Sequence, residues 1–192
     1  MDTDFCYFCM QLPDFPIGEP PPISLDEFDS RLKTVSRDAA RYVRSCSFPL
    51  SPEARFPRGS AAAKFRSFEE SLRYDIACFR AAKFGLSIPP RPAGVRAIKG
   101  LPARIESFAR FNPLEREKKL NEIRSAFLDK IAAADPLSRE AAACYRIRLS
   151  MLWRETMFGD PAGREVFRNT VDTIEHESIG SIGVPDAPAK GK

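Results

Sequence analysis

The chain has 192 residues, 43% of them hydrophobic and 29% charged, with a net charge of +4. That excludes a wholly disordered chain, and 17 prolines against 10 glycines without any period exclude a collagen-like one. A single histidine, His176, excludes histidine-rich metal sites and leaves one residue for any imidazole chemistry.

The N-terminus, Met1-Asp2-Thr3-Asp4, is acidic where a secretory signal would be basic. The apolar run Phe5 to Met10 is far short of the roughly 18 residues that would span a bilayer. Residues 5–11 are expected to form a short strand, and the prolines and glycine of 13–23 a stiff, extended connector. Ser24-x-x-Glu27 then reads as a capping box. Behind it Leu25, Phe28, Leu32, Val35, Ala39 and Tyr42 recur every three or four residues, one helical stripe.

A proline-bearing break over 45–60 precedes a second stripe, Phe65, Phe68, Leu72, Ile76 and Phe79. Residues 85–102 are again rich in proline and glycine, and a short piece around Ile105 and Phe108 follows. Asn112-Pro113-Leu114-Glu115 carries an N-cap, a proline at N1 and a glutamate at N3, and the stripe continues through Leu120, Ile123, Phe127, Leu128 and Ile131. Asp135-Pro136 and Asp160-Pro161 repeat the cap-plus-proline device ahead of two further stripes, one through Tyr145, Leu149 and Leu152, one through Phe167, Val171 and Ile174. Glu69-x-x-Leu72-x6-Phe79 and Glu117-x-x-Leu120-x6-Phe127 share spacing and residue type, a faint internal echo.

The expected fold is all-α, with about five or six amphipathic helices in one bundle or two small lobes. The boundaries are an N-terminal helical lobe over 1–85, a linker over 86–102, a C-terminal lobe over 103–177 and a flexible tail over 178–192.

Charge is unevenly spread. Residues 1–30 carry seven acids and no base, whereas 31–110 carry 17 bases and six acids. Such a basic section suits nucleic acid, anionic lipid or an acidic protein partner, or else coats solvated helix faces. No run of four bases occurs, and the aromatic residues fall on apolar stripes, which disfavours nucleic acid.

Catalytic patterns are missing. Cys6-x-x-Cys9 would need a thioredoxin-like setting to act as a redox pair and a second Cys/His pair to hold zinc, so packing is the better reading. Five cysteines without a repeated spacing argue for a reducing cytoplasm. His176 stands between Glu175 and Glu177 at a helix end, and Trp153 reads as core or interface. No phosphate-binding loop, dinucleotide fingerprint or nucleophile elbow occurs. The expectation is a non-enzyme with no cofactor, no metal and no small-molecule substrate.

Several local patterns coincide with a known family. The opening Phe5 to Pro13, Gly18 to Phe28, Phe68 to Arg73 and Phe79 to Lys83 resemble a small bacterial family encoded among the genes of V/A-type ATPases. The resemblance is densest at Asn112-Pro-Leu-Glu-Arg-Glu-Lys-Lys-Leu-Asn-Glu-Ile-Arg124 and extends over roughly residues 5 to 175. Its members look like abbreviated relatives of the ATPase C (d) subunit, an all-helical funnel between central stalk and rotor ring. The resemblance implies a non-catalytic accessory or stalk subunit, peripheral on the cytoplasmic face of the inner membrane. Its partners would be the central-stalk and rotor-ring subunits, with membrane contact only indirect. The alternative is a basic helical nucleic-acid-binding or regulatory adaptor. Glu69, Arg73, Arg80, Asn112, Glu115, Glu117 and Arg124 are the candidate residues for a partner interface or an inter-helix network, with a plain helix cap favoured for Asn112 and Glu115.

Overall fold

A computed structural model describes residues 3–88, 90–158 and 168–171. The expected all-α class is what is found, and no strand occurs among the described residues. In chain order the helices are α1 (Thr3–Met10), α2 (Leu25–Arg31), α3 (Arg37–Ser45), α4 (Ala61–Lys83), α5 (Leu101–Ser107), α6 (Pro113–Ala132) and α7 (Arg139–Met157). The 3-10 turns Leu32–Thr34 and Phe108–Arg110 extend α2 and α5. The chain divides into two units, Met1–Glu155 and Thr156–Lys192. In the second, residues 168–171 are helical. His176, the Asp160-Pro161 cap and the tail over 178–192 lie outside the described residues.

The expected strand at 5–11 is a helix. Phe5 and Phe8, three residues apart, are both fully buried, whereas Tyr7 and Met10 are exposed. That is helical rather than alternating periodicity. The 25–42 stripe is interrupted at Leu32–Thr34 and resumes after Ser36. The Ser24 hydroxyl accepts the Glu27 amide at 3.0 Å, but Glu27 turns to Arg31 at 2.6 Å, so the reciprocal arm of that box is not made. Asp135-Pro136 lies in a turn, and Ser138 takes the role assigned to Asp135: its hydroxyl accepts the Ala141 amide at 3.2 Å.

Two apolar clusters hold the first unit together. One gathers Phe65, Leu72, Ile105, Ile123, Leu128 and Ile147. The other gathers Phe5, Phe8, Phe28, Val43, Leu149 and Leu152. Each draws on both sides of residues 86–102, so 1–85 and the helices after 100 pack as one unit instead of two lobes. Helix α7 serves both clusters, with Ile147 and Met151 in the first and Leu149 and Leu152 in the second. It is therefore buried on nearly every side.

The proline-rich 13–23 connector, expected to be extended, instead turns at Ile17–Gly18, where Gly18 takes φ +99°, and it is strapped along α7. The Tyr145 hydroxyl donates to the Pro13 carbonyl at 2.9 Å, Arg148 to that of Phe15 at 2.7 Å, and the Trp153 indole to that of Ile23 at 3.0 Å. Side chains of α7 thus satisfy backbone carbonyls that no neighbouring strand could reach.

Helix α4 begins at Ser60, whose hydroxyl accepts the Ala63 amide at 3.3 Å. Glu140 on α7 accepts the free Ala61 amide at 2.6 Å and the Tyr42 hydroxyl at 2.7 Å. Burial alone would raise the Glu140 carboxyl, but the Ala61 amide, Tyr42 and Arg139 together hold it below the usual carboxylate range. At the other end of α4, Gly85 sits at φ +66°, and the amides of Gly85 and Leu86 return to the carbonyls of Ala82 and Ala81. Only glycine adopts that left-handed position without strain, and it closes the helix as a Schellman motif.

Candidate functional site

Helix α6 starts with a complete capping box. The Asn112 Oδ1 accepts the Glu115 amide at 2.8 Å, and the Glu115 carboxylate accepts the Asn112 amide at 3.3 Å. These two candidate residues close on each other at the helix end, as the cap reading expects.

The other five converge. Arg124 on α6 reaches across to Glu69 on α4 in a two-pronged pair, Nε to Oε2 at 3.0 Å and Nη2 to Oε1 at 3.1 Å. Its Nη1 donates to Glu117 at 3.0 Å and to Asn121 at 2.7 Å. Arg73 donates to the same Glu69 at 3.2 Å from one helical turn away. The Arg124 and Glu69 side chains are only 6% and 10% exposed, so both charges depend on each other. Burial opposes the Arg124 charge, but Glu69 and Glu117 more than offset it and hold its pKa above the usual value. The two glutamates of the sequence echo thus meet on one guanidinium.

Arg80, Arg73, Glu69, Glu117 and Arg124 line a cleft of about 520 Å³ between α4 and α6. Sequence reasoning missed Phe48, Phe84, Leu86, Asn121 and Arg154. Phe48 backs the network, with the Arg124 and Arg154 guanidinium carbons 5.0 and 5.7 Å from its ring centre. Asn121 was accessible from helical spacing, being four residues after Glu117 and three before Arg124. Phe48 and Arg154 come from distant segments and carry no local signal. Phe84 and Leu86 project at the end of α4, 73% and 64% exposed.

The matching comparison concerns the C-terminal part of the chain. Residues 97–178 match a family described as "Protein of unknown function (DUF2764)". The DUF2764-like segment contains α5, α6 and α7, and with them Glu117, Asn121, Arg124 and Arg154; Glu69, Arg73 and Arg80 precede it. No curated protein and no solved structure matches the chain.

Other candidate chemistry is displaced by the packing. Burial, with a smaller contribution from Cys6, pushes the Cys9 thiol up to about 11, the reverse of what a redox nucleophile needs. Burial likewise raises Cys46 and Cys144 to about 12. No group of three His, Cys, Asp or Glu side chains that could hold a metal occurs among the described residues. Among them, too, no helix is long and apolar enough to cross a membrane.

Proposed function

We propose that this protein is a non-catalytic adaptor of a bacterial V/A-type ATPase, docking through the α4–α6 cleft to couple or assemble the soluble motor with the rotor ring. The observation that carries the docking part is the cleft itself. Its charged wall is locked by the Arg124 network, while Phe84 and Leu86 stand exposed at its edge. A rigid polar wall beside an exposed aromatic is the arrangement from which interface anchors are built, because little order has to be gained on binding. The ATPase part rests on the resemblance at Asn112 to Arg124. It would place the chain peripherally, on the cytoplasmic face of the membrane that carries the rotor.

The test is affinity purification of the tagged chain from its native cells. ATPase stalk or rotor subunits should co-purify, and a Phe84→Glu, Leu86→Glu variant should lose them while keeping its helical circular dichroism. Recovery of no ATPase subunit by the unaltered chain overturns the proposal.

A further inference from the structure

On the opposite side of α4 lies a second concavity, of about 590 Å³, and it differs in kind from the cleft. At about 100° per residue, positions 64, 67, 68 and 71 point roughly half a turn away from 69, 73, 76 and 80. Lys64 on α4, Arg96 and Lys99 on the 84–100 loop, Arg104 on α5 and Lys130 on α6 stand around it, all exposed. No acid is among the described residues that line it. Nor does any of these five bases pair with an acid among the described residues, whereas Arg124, Arg73 and Arg148 all do.

The floor is apolar. Leu101, Ile123 and Phe68 are buried beneath it, and Phe127 and Ile98 are half-exposed. The Phe68 and Phe127 rings stack with centres 4.1 Å apart and planes within 10°. Each thus covers a face of the other, which removes aromatic surface that could stack on nucleobases. The wall formed by the loop is pinned. Arg91 binds the buried carboxylate of Asp75 on α4 and lies 4.2 Å from the centre of the Tyr74 ring. Gly100, at φ +77°, then turns the chain directly into α5. The concavity is therefore formed before anything enters it.

A flat bilayer cannot fill a depression of this shape, and a free inorganic anion would leave the apolar floor wet. One face of an amphipathic helix answers both features, with its apolar residues against the floor and its acidic flanks against the five bases around the rim. We propose that this basic cavity is a docking site for an acidic amphipathic helix of a protein partner. The inference goes beyond the preceding one and stands whether or not that partner belongs to an ATPase.

The experiment places a photo-reactive benzoylphenylalanine at Ala126, an exposed residue lining the cavity, in the full chain expressed in its native cells. The cross-linked peptide is then sequenced. Support is a peptide that repeats apolar residues at three and four, carries flanking acids, and is lost in an Arg104→Glu, Lys130→Glu variant but kept in Lys118→Glu. A synthetic copy of that peptide should bind the purified chain, about tenfold more weakly with its acids changed to amides. A cross-link to lipid, to nucleic acid, to a second copy of this chain or to an acid-free peptide overturns the proposal, as does the absence of any cross-link. An acidic helix from a protein outside the ATPase keeps this inference and counts against the preceding one. ATPase co-purification without a cross-link at Ala126 does the opposite.

Discussion

The two concavities beside α4 both carry bases over apolar residues, but only the cleft also holds acids that answer them. In the cleft, Arg124 is enclosed by Glu69, Glu117 and Asn121, and the guanidinium serves the fold. In the cavity on the other side, five bases face no acid among the described residues. The contrast shows why counting charge misleads: a buried, satisfied arginine holds helices together, whereas an exposed, unanswered one is available to a partner.

The largest effect that can break this comparison is on stability. Arg124→Ala removes the two-pronged partner of the buried Glu69, leaves it the largely exposed Arg73, and should cost about 3 kcal/mol in urea denaturation. Lys130→Ala should stay within about 0.5 kcal/mol. If the two variants unfold alike, the cleft network is not structural. Replacing Glu69 and Arg124 together by leucine should cost clearly less than Arg124→Ala, because no charge is stranded.

Next in size is the wall of the basic cavity. Arg91→Ala strands the Asp75 carboxylate, whose side chain is 3% exposed, and should cost about 2 kcal/mol. Hydrogen exchange should quicken over residues 92–99 and leave α6 unchanged. Equal acceleration throughout would mean that Arg91 holds the whole fold and not this wall.

Acid addresses a joint outside both concavities. The Glu140 carboxyl is held below its ordinary value of 4.5, so its contribution is complete above that value and is lost as pH falls through the lower folded-state pKa. A plot of melting temperature against pH should therefore decline below about 4.5, and Glu140→Gln should flatten it. A variant with the same slope would assign the decline to other carboxylates.

The smallest expected effect is chemical. With its thiol raised to about 11, Cys9 should be alkylated slowly at neutral pH, and Cys9→Ser should leave partner capture at either concavity unchanged. Rapid labelling of Cys9 would reopen the redox reading.

Much of this fold is legible in the sequence because α4 and α6 bury one stripe each, and a stripe is what periodicity reveals. Helix α7 is less so. Buried on nearly all sides, it includes Arg146 and Ser150, which look like surface residues until Asp29 and the Phe48 amide are seen beside them. The α1 segment misleads because its apolar residues run together, and only packing separates Phe5 and Phe8 from Tyr7 and Met10. Of the candidate residues, Glu69 and Arg73 are readable as i, i+4 neighbours, Glu117 and Arg124 as i, i+7 positions on one helix face, and Glu69 and Glu117 as echo partners, whereas Phe48 becomes adjacent only through tertiary structure. The basic cavity left a coarser trace, the excess of bases over 31–110, which holds four of its five members, but the five come from four separate segments.

The position of α7 near the end of the described chain has a consequence for synthesis. Neither apolar cluster closes without it, and the Pro13, Phe15 and Ile23 carbonyls have no donor until Tyr145, Arg148 and Trp153 arrive. During translation α4, α5 and α6 can pack on one another, but the surfaces of both clusters that α7 covers leave the ribosome bare, exposed to aggregation or to chaperones. The first unit consolidates when its last helix emerges, so a ribosome stalled before residue 139 would carry a chain cut faster by protease than the complete one.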